Sequence, residues 1–310
     1  MQVPNGTAKL VGVLFLLVAI GTLHVLYQSP EHANALAKLA AKGSSVFSSI
    51  TKESICTENA LSMDLEFQKA HFLSNKQGRQ QAMRASSSSN QLASLQMFVV
   101  PQLACPTMVR VGSLGDGGKW VCNPWRVPER DCVVYSLGVN GDVSFEMDLH
   151  ETTKRRCKIY SIDPGKQNEA LFKPFNGTYW QRKMAGSADE SKQQTSLAEM
   201  MQRFGHKKVD IVKMDIEGWE FESVDAFLNV SKTSDSQSRI CQLLVELHYT
   251  TGKLQTWLNL FELLEKKGFR MFSKEANMYC PQCFEYSFMH LSCFKQYGLP
   301  ENSTFFTTFA

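Results

Sequence analysis

Two short stretches hold the residues best suited to chemistry. Val209-Asp-Ile-Val-Lys-Met-Asp215-Ile-Glu217 is an apolar run that ends in Asp215 and Glu217. Leu243-Leu-Val-Glu246-Leu-His248 is a second, ending in Glu246 and His248. Each pair is spaced i, i+2, so in extended chain both of its side chains point the same way. On neighbouring strands these residues would bring three carboxylates and an imidazole to one edge of a sheet. Ionised groups at the end of a buried strand are costly unless partnered, which suggests use. Such a set can take a proton from a hydroxyl, or hold a divalent cation that acidifies one. Asp215, Glu246 and His248 are the candidate ligands, and oxygen-rich donors suit Mg²⁺, Ca²⁺ or Mn²⁺. Each residue alone also has a structural reading. Glu217 caps the helix beside it, where the helix dipole favours an anion, and His248 is a hydrogen-bonded core histidine.

A second constellation lies in Cys132–Asp163. A short apolar run, Val133–Leu137, leads into Gly138-Val139-Asn140-Gly141. A helical pattern follows over Asp142–His150, and the run Lys158–Ile162 ends in Asp163. Gly138 lets a ligand approach the backbone, and Asn140-Gly141 tolerates positive φ. An acidic residue after the second strand of a βαβ unit accepts hydrogen bonds from ribose hydroxyls. Gly138, Asn140, Gly141 and Asp163 are therefore candidate cofactor contacts, with Ser187 in the later Ala185-Gly186-Ser187 turn. The full GxGxxG pattern is not met, so an ordinary strand-to-helix turn competes with this reading.

These residues need a sheet to position them. The spacing predicts strands at Thr178–Met184, Val209–Met214, Ile240–Leu247, Phe269–Ser273 and Phe284–Leu291. It predicts helices over Ser196–Phe204, from Glu217 onward, and over Thr256–Lys267. Strands alternating with helices indicate an α/β, doubly wound sheet. Ahead of it, Arg110–Cys122 reads as a glycine-rich hairpin or loop.

Four segments then carry a resemblance: Val-Tyr-Ser-Leu-Gly-Val-Asn-Gly, Tyr-Ser-Ile-Asp-Pro, Val-Asp-Ile-Val-Lys-Met-Asp-Ile-Glu-Gly-Trp-Glu and Val-Glu-Leu-His. Together they resemble the FkbM-type S-adenosylmethionine-dependent methyltransferases, and most of all the methyltransferase-like protein 24 branch. Lys213, Asp215, Glu217 and Gly218 form the most specific part, and the Asp116-Gly-Gly118 loop with Cys122 is similar to that branch. The resemblance covers roughly Gln96–Leu299. It implies a Rossmann-like sheet of seven strands with the last antiparallel. It also implies S-adenosylmethionine at Gly138, Asn140 and Asp163, with Asp215 and Glu217 beside the transferring methyl. The sequence departs from the pattern in two ways. Ser136 stands where an acid is usual, and the glycine loop is one residue short; both count against tight cofactor binding.

At 310 residues, 43% hydrophobic and 20% charged, the chain holds one domain of about 200 residues plus extras. A net charge of +3 without a basic, aromatic-laced stripe argues against nucleic acid. Leu10–Tyr27 carries no full charge and just reaches the roughly 17–25 residues that a membrane span needs. A signal anchor is expected, with cleavage near Ala33-Asn34-Ala35 as the alternative. The expected layout is a cytosolic tail (1–9), the anchor (10–27), a flexible stem (28–95), the domain (96–300) and a tail (301–310). There are nine cysteines, and sequons at Asn176, Asn229 and Asn302. Together they favour a lumenal carboxyl part of a single-pass type II protein of the Golgi or endoplasmic reticulum, or a secreted form.

Cys132 and Cys157 precede strands that should be neighbours, close enough for a disulfide. Cys105–Cys122 is the other expected pair. Cys241, Cys280, Cys283 and Cys293 are expected to form disulfides in an oxidising lumen, with connectivity open and a zinc site as the alternative, and Cys56 could join two chains. The leading functional reading is O-methylation of a glycan or another hydroxyl acceptor. A cofactor-free binding module, favoured by Ser136, and an anchored glycosyltransferase are the alternatives.

Overall fold

The computed structural model describes residues 99–230, 239–248 and 254–300, with positions 70, 81 and 304. The expected anchor, the stem apart from positions 70 and 81, Cys56 and Asn302 lie outside the described residues. Among the described residues no helix is long and apolar enough to cross a membrane.

The chain opens with an antiparallel hairpin, β1 (Met108–Val111) and β2 (Lys119–Cys122). The first βαβ unit is β3 (Cys132–Leu137), α1 (Ser144–Thr152) and β4 (Cys157–Asp163). Next come β5 (Thr178–Gln181), β6 (Lys183–Met184) and β7 (Gln194–Thr195). They are followed by α2 (Leu197–Phe204), β8 (Lys208–Met214) and α3 (Glu220–Val230). The carboxyl part holds β9 (Arg239–His248), α4 (Leu254–Lys266), β10 (Phe269–Ala276) and β11 (Cys283–His290).

Seven strands form one sheet in the order β10-β11-β9-β8-β3-β4-β5. All its pairs from β9 to β5 are parallel, and β11 runs antiparallel between β9 and β10. The expected seven-stranded sheet with its last strand reversed is what forms. The order reverses between β3 and β8, and ligands of doubly wound sheets bind beyond the strand ends at such a point. Gly138 and Asp215 follow those two strands directly.

The central strands are buried on both faces, so they read as apolar runs without alternation. Val133, Tyr135 and Leu137 pack into one core with Leu197, Met200, Val224 and Trp257 of α2, α3 and α4. Cys132 and Val134 turn into the other core with Phe145 and Leu149 of α1 and Val121 of the hairpin. Ser196 begins α2 by accepting from the Glu199 amide at 3.2 Å, and Gly205 ends it at φ 71°.

One predicted strand is divided. Thr178–Met184 becomes β5, which pairs β4, and β6, which leaves the sheet to pair β7. The break falls at Arg182, whose amide still donates to the Asp163 carbonyl at 3.0 Å.

Four disulfides are present among the described residues: Cys105–Cys122, Cys132–Cys157, Cys241–Cys293 and Cys280–Cys283. Cys132 and Cys157 face each other in register, with Cα atoms 4.4 Å apart. Cys241–Cys293 and Cys280–Cys283 resolve what the sequence left open, in favour of disulfides over zinc.

Candidate active site

The first wall of the site is the turn after β3. Gly138 has φ +80°, and a Cβ there would stand 1.6 Å from the Asp215 carbonyl oxygen, so only glycine fits. The close approach ties this turn to the end of β8. The Asp215 amide donates to the Leu137 carbonyl at 2.9 Å, and the Lys213 ammonium to the Gly138 carbonyl at 2.8 Å.

Asp163 holds the same turn from the other side. Its Oδ2 accepts from the Val139 and Asn140 amides at 3.0 and 2.8 Å. Its Oδ1 accepts from the Gly165 amide at 2.7 Å and from Gln167 Nε2 at 3.1 Å. Those four donors fill the acceptor capacity of a carboxylate. In this state Asp163 is therefore the clamp of the loop, and its expected bonds to ribose would have to displace some of these. Ser136 is buried, and its hydroxyl donates to Glu146 of α1, itself fully buried with a second oxygen lacking a partner. The carboxylate missing from β3 is thus present beside it, delivered from the helix.

The second wall is acidic. Asp215 lies just past β8, and the next turn puts Glu217 at φ 57° and Gly218 at φ 97°. The i, i+2 argument for Asp215 and Glu217 assumed extended chain, and this turn replaces it. Both residues still reach His248, whose Nε2 is 3.9 Å from Asp215 Oδ1 and 3.4 Å from Glu217 Oε2. Glu217 does not cap α3. The fully buried Glu220, at the start of α3, instead holds the turn before the helix: its Oε1 accepts from the Ile216 amide at 2.9 Å and the Gly218 amide at 3.2 Å. The same oxygen lies 3.0 Å from His248 Nδ1.

Glu246 faces Glu285 across the β9–β11 pair. Between them stands Lys119 of the hairpin, 1% exposed, bonded to Glu285 and 3.4 Å from Glu246 Oε2 and 3.6 Å from Asp215 Oδ2. Asn277 closes the group, its Nδ2 donating to Glu246 Oε1 at 2.8 Å and to Asp116 Oδ1 at 2.9 Å.

Both walls line one cavity of about 600 Å³, within the range of small-molecule sites. Gly138, Asn140, Asp163, Asp215, Glu217, Glu246 and His248 line it. Ser187 does not, being exposed one turn away; Lys183 and Met184 take its place. Gly141 also falls outside the lining, where its φ of +81° shapes the turn instead.

A family model described as a methyltransferase domain matches residues 61–290. The chain belongs to that methyltransferase family. It is 23% identical over 221 residues to the human protein named "Probable methyltransferase-like protein 24", covering 61% of this chain and 58% of the relative. The rat protein of the same name is 23% identical over 214 residues, 59% of this chain and 57% of that one. The chain thus spans under two thirds of the curated relatives it matches. Among solved structures, a ribosomal RNA methyltransferase from Plasmodium falciparum is similar at TM-score 0.35 and 14% identity, over 52% of this chain and 86% of that one. Methanococcus jannaschii fibrillarin, a pre-rRNA processing protein, gives TM-score 0.34 and 13% identity, over 62% and 86%. Family membership displaces the glycosyltransferase alternative.

The charges around this cavity are strongly shifted. Burial alone would lower the Lys119 pKa, but Glu285, Asp215 and Glu246 outweigh it and keep the ammonium protonated. Burial pushes Glu285 up to about 8, against the pull of Lys119. Burial and then the charge of Asp215 raise Glu246. Asp215 goes the other way: burial is overcome by Lys119, Lys213 and His248, which hold its carboxyl below the usual range. Three carboxylates around one buried ammonium leave a proton shared within the group at neutral pH. His248 resists burial through its bond to Glu220 and rises to about 9, so it is an imidazolium at neutral pH.

Lys119, Glu220, Glu285, Glu146 and Asn277 were not singled out from sequence. Lys119 lies in a hairpin read only as a turn, and Glu285 alternates with apolar residues in what looked like a closing strand. The Glu220 signal was available, since it ends the Ile-Glu-Gly-Trp-Glu segment.

Proposed function

We propose that the chain is an S-adenosylmethionine-dependent methyltransferase that O-methylates a glycan or another hydroxyl compound in the secretory pathway. One observation carries the reading: a single cavity joins the Gly138–Asn140 turn to the Asp215, Glu246 and His248 cluster. The residues present fit the cofactor. The turn after Gly138 lines the cavity through Val139 and Asn140, and Ile162 and Met184 offer apolar walls for a flat base. The FkbM-type motif order, the lumenal location, the Leu10–Tyr27 anchor, a second copy joined through Cys56 and the absence of a nucleic-acid partner belong to this same reading. Asn176 and Asn229 are exposed, as glycan acceptors must be.

When bound, the cofactor supplies an electrophilic methyl on a sulfonium. The chain's own residues would do the rest. Asp215, ionised and partly exposed, receives the hydrogen bond of the acceptor hydroxyl. Asp215 would take the hydroxyl proton when the acceptor oxygen is methylated, with Glu246, raised by burial, beside it. His248 holds Asp215 by charge. A divalent cation fits poorly, because an ammonium already stands among its candidate oxygen ligands.

Calorimetry with S-adenosylmethionine on the full-length protein tests the reading. Saturable binding, weakened by Asp163→Ala, is expected. No binding at millimolar ligand would leave the binding-module alternative, which Ser136 and the fully engaged Asp163 favour.

A further inference from the structure

We propose that Lys119 occupies the place of a divalent cation, gathering the carboxylates of Asp215, Glu246 and Glu285 so that the site works without a metal. The part concerning methyl transfer rests on the function proposed above; the placement of the ammonium does not.

Glu246 and Glu285 are direct partners in the β9–β11 register, and Asp215 arrives from the next strand. Like charges set opposite each other across a sheet repel, and burying them takes a shared proton, a cation or both. Lys119 supplies the cation. An ammonium has three donors and no acceptor, and three carboxylates surround this one. The outward oxygen of Glu246 is taken by Asn277.

A divalent ion bound to Asp215 and Glu246 would lie about 2.0–2.6 Å from their oxygens. It would then stand within a few ångströms of a desolvated ammonium that has nowhere to retreat. Repulsion at that range opposes a divalent ion at Asp215 and Glu246.

The hairpin fixes the ammonium in place. Cys105–Cys122 closes its base. The Gln242 side chain pairs with the Cys122 backbone like a neighbouring strand, accepting from its amide at 2.9 Å and donating to its carbonyl at 2.8 Å. Ser287 donates to the Trp120 carbonyl at 2.8 Å. Gly118 admits the close turn before Lys119, since a Cβ there would lie 2.0 Å from the Ser113 carbonyl oxygen. The charge is preorganised before any substrate arrives.

Mn²⁺ binding to the full-length chain, read by calorimetry, tests the proposal. Wild type should show no binding that depends on Asp215. Lys119→Met, of similar volume, should gain a site at least about tenfold tighter than any in wild type, and adding Asp215→Asn should remove it. A purely structural lysine would create no such site. Wild-type binding abolished by Asp215→Asn, or Lys119→Met that folds and gains nothing, overturns the proposal. If Lys119→Met does not fold, wild type and Asp215→Asn decide alone: Asp215-dependent binding overturns it and its absence supports it. S-adenosylmethionine binding, read on the same samples, fails separately if the functional reading is at fault.

Discussion

The imidazole of His248 rests with Nδ1 3.0 Å from Oε1 of Glu220, a carboxylate with no exposed surface. The bond fixes the ring and turns Nε2 toward Glu217 and Asp215. It also fixes the charge, since the ring's pKa is raised to about 9.

Stability should follow that charge. A histidine with a raised folded pKa contributes fully below its unfolded value near 6.5, and the contribution is lost as pH rises through about 9. Thermal stability should therefore fall between those limits, and Glu220→Gln should flatten the dependence. An NMR titration of His248 checks it directly: a midpoint near the ordinary value would contradict the bond's role.

Asp163 clamps the cofactor turn through four donors, so its loss should act twice. Asp163→Ala should weaken S-adenosylmethionine binding at least about tenfold, and it should also lower the unfolding temperature by freeing buried amides. If binding weakens with stability unchanged, the carboxylate serves the ligand and not the turn.

Asp215→Asn keeps the shape and removes the charge. It should leave cofactor affinity nearly intact and reduce turnover by about 10²–10⁴-fold, the usual share of a general base. The assay needs an acceptor; turnover at the wild-type rate would make Asp215 structural.

Cys132 and Cys157 sit at the amino ends of β3 and β4, the edge away from the cavity. Replacing both with serine should cost about 3 kcal/mol, from a loop of this length, with no change in cofactor affinity. Denaturant unfolding measures the first and calorimetry the second. Free thiols at both positions in non-reducing peptide maps would contradict the pairing.

The parts legible in sequence were those with a local signal. Val133–Leu137 and Val209–Met214 stood out because strands buried on both faces are apolar throughout. The Gly138 turn and Asp215 follow such strands immediately, so their place at the switch point came with them. Lys119 and Glu285 meet across 166 residues of sequence, and no local pattern marks a lysine destined for burial. Glu146 and Glu220 begin or follow helix starts like any exposed acid. Only the tertiary fold says that both turn inward. Thr178–Met184 shows the opposite failure: a good strand pattern was divided because its end, β6, pairs with β7 and leaves the sheet.

The position of β11 bears on how the protein is made. This strand comes late in the chain, yet it lies between β9 and β10, both synthesised earlier. A nascent chain that has β10 but lacks β11 cannot form the finished sheet. It leaves the edge of β9 bare, with unpaired amides and carbonyls that invite pairing with another chain. It also lacks Glu285, so the ammonium of Lys119 loses one of its two hydrogen-bonded acceptors. Chains cut short before Cys283 should therefore be retained or aggregate during biogenesis, and only a completed sheet can carry a working site.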